Sequence, residues 1–182
     1  MRAVAGMIAS VAILAVAACH DAPQTPVAAK VGVADTADQV FFGAQFVLTT
    51  RGIQRGDLTA DTAYILEDQT RFDLRKTHVV FTTELGAPQG TMTGDRGLYS
   101  TRTQILDGRG NVVVKLVDGR TLTSPHVTYN QMTHLISSDT SYTISDERGS
   151  QTGIGFTSDQ TFKKFSCLKN CGGNFAVLIP EK

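Results

Sequence analysis

The chain has 182 residues, 41% of them hydrophobic and none of them tryptophan, with 17 Lys plus Arg balanced by 17 Asp plus Glu. That is enough for one domain with a real core. The balanced charge, without a basic cluster, argues against nucleic acid as a partner and against a membrane held by polybasic attraction alone.

Arg2 opens the chain and Ala3 to Ala18 is an uncharged run of small and branched apolar residues. At ~1.5 Å per residue it spans roughly 24 Å as a helix, short of a ~30 Å hydrocarbon core, so a secretory signal is expected. The run stops at Val16-Ala17-Ala18-Cys19, preceded by Leu14, which resembles a bacterial lipobox. Residues 1–18 are then a signal peptide and Cys19 is a lipidation site. An ordinary cleavage site and a short uncleaved anchor are the alternatives. Residues 20–40, HDAPQTPVAAKVGVADTADQV, have two prolines and no period and read, with Cys19, as a flexible tether.

From there a sentence repeats. LTADTAYILEDQT begins at Leu58, MTGDRGLYSTRT at Met92, LTSPHVTYNQMT at Leu122 and a weaker QTGIGFTSDQT at Gln151, so the starts are 34, 30 and 29 residues apart. Each of the first three reaches Ile65, Tyr99 or Tyr129 seven places on and closes a turn at Thr70, Thr103 or Thr133. Each is followed by a β-rich run: HVVFTT from His78, NVVVKL from Asn111, TSYTI from Thr140. No stretch after residue 40 keeps a helical apolar period for three turns, and an all-β domain over 41–168 with a short tail at 169–182 is expected.

The phase of the alternation adds a bend. Apolar or small residues fall at +0, +2, +5 and +7: Leu58, Ala60, Ala63, Ile65; then Met92, Gly94, Gly97, Tyr99; then Leu122, Ser124, Val127, Tyr129. The step from +2 to +5 is odd, so one face can carry all four only if a β-bulge intervenes. A bulge in successive units curls the hairpins into a trough. The inward set continues as Val79 and Phe81, Val112 and Val114, Tyr142 and Ile144. Mixed sizes, with glycines and alanines facing tyrosines and phenylalanines, are compatible with a slot for acyl chains.

At the C-terminal end, Cys167 and Cys171 frame CLKNC. A small structural disulfide is one reading; a redox pair would need the tighter C-x-x-C spacing. Zinc would need further ligands, and His20, His78, His126 and His134 are scattered, each expected at the surface or in a turn. Asp107, Asp118 and Asp139 are likewise expected in turns. No metal site and no cofactor is expected.

GRGNVVVKLVDGRTLTSPHVTY, LISSDTSYTI and GIGFTSDQTFKKF, in order and spacing, resemble the LptC family, a periplasmic component of bacterial lipopolysaccharide export, from about Phe46 to Phe165. The resemblance implies an open-ended antiparallel β-jellyroll whose apolar interior accepts lipid A acyl chains. It further implies docking to an inner-membrane ABC transporter and, by strand-edge augmentation, to an LptA-like periplasmic bridge. The groove set is then Leu58, Val79, Phe81, Tyr99, Val112, Val114, Val127, Tyr129, Tyr142, Ile144 and Phe156. The N-terminus departs from the family pattern: a lipidated Cys19 stands in place of a transmembrane helix, and His20 rather than Asp follows it. A periplasmic, membrane-anchored lipoprotein is expected, in the inner membrane with the outer left open. A non-enzymatic carrier leads, and a structural lipoprotein with a closed core that only bridges partners is the alternative. An enzyme would need motifs such as the G-x-S-x-G elbow, which is missing.

Overall fold

A run of nine strands, each hydrogen-bonded to the next, makes up almost all of the computed structural model, which describes residues 32–67 and 69–174. The apolar N-terminal run, Cys19 and most of the expected tether lie outside the described residues. After one helical turn, α1 (Val33–Thr36), come β1 (Gln39–Thr50), β2 (Ile53–Leu66), β3 (Arg71–Thr82), β4 (Pro88–Ser100) and β5 (Ile105–Leu116). They are followed by β6 (Thr121–Asn130), β7 (Leu135–Asp146), β8 (Gly149–Asp159) and β9 (Ser166–Gly173). All neighbouring pairs are antiparallel, in the sheet order β1 to β9.

The expected domain limits need two corrections. β1 starts at Gln39, ahead of residue 41, because Gln39 and Val40 already pair with Ile65 and Tyr64. The tail expected from 169 is the second half of β9, held on β8 through Lys169, Gly172 and Gly173. Lys, Asn and two glycines carry little strand propensity, which is why this stretch reads as a tail.

Mid-strand bulges of the kind expected from the apolar phase shift the register in every ladder from β4–β5 to β8–β9, while from β1 to β4 one residue on each strand drops out of the mid-strand pairing without a shift. The ladders skip at Gly43 opposite Asp61, at Asp61 opposite Lys76, at Gly94-Asp95 opposite Gly110 to Val112, and at Asp139-Thr140 opposite Gly155. Left-handed backbone marks the same line: Gly43, Lys76, Gly110, Asn111, Gly155 and Asn170 all have φ between +48° and +72°. An inserted residue restores the inward face and bends the strand. Leu58, Ala60, Ala63 and Ile65 are consequently all buried, as are Leu122, Ser124, Val127 and Tyr129.

Aligned bulges make a crease, and the sheet folds along it. Phe81 on β3 and Tyr129 on β6 belong to different halves of non-neighbouring strands, yet their rings pack edge to face at 5.0 Å. Phe46 on β1 meets Phe72 of the opposite half at 4.9 Å. The two halves of one sheet therefore supply both walls of the core. Polar latches close its ends. Buried Gln131 accepts a hydrogen bond from the Tyr99 hydroxyl at 3.2 Å and donates to the Thr49 carbonyl at 3.3 Å, joining the β6–β7 turn to the end of β1. Arg120 donates to the carbonyls of Phe162 and Thr161 at 2.7 and 3.0 Å, tying the β5–β6 turn to the β8–β9 connection.

Candidate functional site

The register arranges the inward side chains in rows across the sheet. On one side of the crease Phe46, Leu58, Val79, Met92, Val114, Leu122 and Ile144 pair strand by strand. On the other side run Ile65, Phe72, Tyr99, Leu106, Tyr129 and Ile136. All eleven candidate groove residues lie in one continuous apolar cluster, from 0% exposed for Leu58, Val79, Phe81, Val112, Val114, Val127 and Phe156 to 7% for Tyr99. Tyr129, Tyr142 and Ile144 are 1–3% exposed. Small inward residues do not leave empty slots beside them. A Cβ added at Gly97 would stand 2.7 Å from the Thr77 Cγ2 and 3.5 Å from both Leu106 and Leu74, so neighbours already fill that space.

The apolar interior reaches the surface at β1. A cavity of about 360 Å³ there is lined by Phe41, Phe42, Phe46, Ala63, Ile65 and Phe72. Phe42 is 82% exposed and Val40, Phe41 and Val47 are exposed as well, an apolar edge strand with no partner along its outer side among the described residues. Such an edge is a template for strand addition. Burial pushes the Tyr129 hydroxyl up to about 12, and it accepts a hydrogen bond from Gln160, so the phenol stays neutral within the core. The buried Tyr142 hydroxyl has no hydrogen-bond partner.

The outer side of the crease is polar. Lys76 and Asn111 both donate to Asp95, at 2.7 and 2.8 Å. Within the crease, buried Ser124 and Ser138 and half-buried Thr140 share hydroxyl contacts of 3.0 to 3.3 Å where β6 and β7 part. His126 sits between Asp107 and Asp139, with its Nδ1 2.9 Å from Asp139. The expectation of turn positions for Asp107 and Asp139 is thus wrong: they lie on β5 and β7 and, with His126 of β6, hold the crease across strands. Asp118 does occupy a turn, as does His134. The periodic spacing of these polar residues, one per unit near each bulge, is the signal that could have found them. Beside them a second hollow of about 510 Å³ is lined by Asn111, Val113, Thr123, Pro125, Ser141 and Thr143 and also by Val112, Ser124 and Tyr142. Arg55 is largely buried and paired with Glu84 at 2.6 Å.

Cys167 and Cys171 are joined by a disulfide within β9, with Cα atoms 6.0 Å apart. Among the described residues no group of three or more His, Cys, Asp or Glu stands close enough to hold a metal ion.

One antiparallel sheet, folded on an apolar interior and left open along β1 and β9, is an unclosed β-jellyroll. The family model for lipopolysaccharide-assembly, LptC-related proteins matches residues 7–175, and the chain belongs to that family. It is a non-enzymatic periplasmic component of lipopolysaccharide transport. Among solved structures it is similar to LptH of Pseudomonas aeruginosa, described as the LptA homologous periplasmic component of the conserved lipopolysaccharide transport device. That likeness has a TM-score of 0.52 at 9% identity and covers 66% of this chain and 94% of LptH, which speaks to fold. No curated protein matches the chain.

Proposed function

We propose that the jellyroll takes lipid A acyl chains between the two halves of its folded sheet and hands the lipid from an inner-membrane ABC transporter to an LptA-like jellyroll, with no covalent step. The observation that carries this reading is the cavity at β1, where the otherwise closed core of Leu58, Val79, Val114 and their row opens through Phe46, Ile65 and Phe72. Acyl chains are apolar and need only dispersion contacts and exclusion of water, which these side chains supply. The unpaired outer sides of β1 and β9 suit strand augmentation by neighbours before and after in the chain of transfer. Lipidation at Cys19 would anchor the domain to a membrane, the inner one on this reading. Residues 20–38 would then be the tether.

The test is photo-crosslinking in cells making lipopolysaccharide. A photoreactive residue at Val114 or Tyr142 is expected to capture lipopolysaccharide, and one at the outward neighbours Val113 or Thr143 to capture little, because successive side chains of a strand face opposite sides. Equal capture from both faces would defeat the reading. The near-complete burial of the eleven interior residues favours a second reading, a closed core that only bridges partners. On that reading no interior position captures lipid, while strand-edge contacts persist. For Cys19, fatty-acid labelling of the wild type and its loss in Cys19→Ser is expected; an unlabelled wild type rules the anchor out.

A further inference from the structure

Among the described residues β9 is the last strand and has a neighbour on one side only. Its ladder to β8 breaks in the middle: Ile154 pairs with Lys169 and Thr152 with Gly172, so Gly153 alone faces Asn170 and Cys171. Asn170 is left-handed, with φ of 51°. This is the crease reaching the edge of the sheet. On the interior strands the crease is held by polar contacts from strand to strand, Lys76 to Asp95 to Asn111 and Ser124 to both Ser138 and Thr140. Among the described residues no strand follows β9 to supply such contacts.

What spans the bend of β9 is the Cys167–Cys171 bridge. Four residues of straight strand cover roughly 13 Å, whereas a disulfide tolerates Cα separations of about 4.4–6.8 Å and this one has 6.0 Å. The bridge and a straight β9 exclude each other. The neighbouring strand is shaped to accept it, since a Cβ on Gly153 would stand 2.7 Å from the Cys167 sulfur. Cys167 packs partly against the core and Cys171 is exposed, so one end of the bond faces solvent.

We propose that the Cys167–Cys171 bridge is a redox-sensitive clasp on the final strand. Closed, it holds β9 in the bent form that continues the crease and presents the second sheet edge in one register. Opened, it frees residues 169–174 from β8 while the rest of the sheet stays folded. Opening is thiol–disulfide exchange with a dithiol: one thiolate attacks the Cys171 sulfur and expels Cys167 as a thiolate. The second dithiol thiolate then attacks the mixed disulfide and expels Cys171. The two cysteines take up two electrons and two protons, and the dithiol is oxidised to its own disulfide. Any effect on docking of a following jellyroll rests on the strand-augmentation reading above; the clasp itself does not.

Hydrogen–deuterium exchange on the full-length protein tests this, comparing the oxidised form, the form reduced with dithiothreitol and the C167S/C171S double variant. Amides of residues 169–174 are expected to exchange about tenfold faster or more in both bridge-free forms, with β3 to β6 unchanged. Equal exchange in β9 with and without the bridge overturns the clasp. So does a loss of protection spread evenly over the sheet, which would make the bridge a general staple. Lipid transfer plays no part in the readout, so failure of the carrier reading would leave the result standing.

Discussion

Gly110 shows how much of the crease is decided by single residues. It has φ of +72°, where a side chain is strained, and a Cβ there would also meet the Asp95 Cβ at 3.1 Å. Gly110→Val is expected to cost about 1–3 kcal/mol and to lower the melting temperature by a few degrees or more. An unchanged melting curve would count against the bulge as a rigid element. His126, three strands' worth of hydrogen bonding in one ring, gives a pH dependence. Burial opposes its charged form, but the bonds to Asp139 and Asp107 outweigh that and hold its pKa above the usual 6.5. A base whose folded pKa is raised stabilises the fold fully below its unfolded pKa and loses that contribution as the pH rises through the folded one. His134 runs the other way, because burial lowers its pKa. Subtracting the His126→Gln variant from the wild type cancels the His134 slope. The melting-temperature gap between the two is expected to be widest in mild acid and to narrow as the pH rises past the histidine range. A gap independent of pH would mean that the ring acts by packing alone.

At the scale of the strand, the two-residue period makes a paired test. Val114 is fully buried in the row between Met92 and Leu122, while Val113 borders the second hollow. Val114→Asp is expected to lose several kcal/mol, since a buried carboxylate there has no partner, and Val113→Asp about 1 kcal/mol or less. Denaturant titration of both separates them; equal losses would mean the strand faces are misassigned. This element-level pattern was legible in the sequence because side-chain direction follows from alternation, and even the unpaired break at Asp61 shows as an odd step from Ala60 to Ala63. Three things were not legible. β9 was missed because Lys169, Asn170, Gly172 and Gly173 form a strand only through their ladder to β8 and the bridge. Asp107 and Asp139 look like turn residues because their meeting with His126 depends on register across three strands. And residue sizes along one strand could not say whether the trough is filled, since the atoms beside Gly97 come from Thr77, Leu74 and Leu106 on other strands.

For the whole molecule, the carrier reading proposed above would give lipid entry a direction. Both walls come from one sheet bent at the crease, so the crease is a hinge line and the opposite side is where the walls can part. The ends are latched through Gln131 and Arg120, while β1 carries the cavity and the exposed Phe41 and Phe42. An acyl chain would therefore enter beside β1 and wedge between Phe46 and Phe72 before reaching Val114 or Phe81. The absence of tryptophan allows a direct readout. A single Phe46→Trp replacement at the mouth is expected to show a blue shift and a rise in emission when lipid A is added, as water is displaced from the ring. The same replacement at Phe81, already fully buried, is expected to change little at low lipid and to respond only as the walls separate. The order matters more than either response alone. If Phe81→Trp responds at lower lipid than Phe46→Trp, entry is not at β1. If neither responds while the melting temperatures stay near the wild type's, the core remains shut and the protein works by bridging.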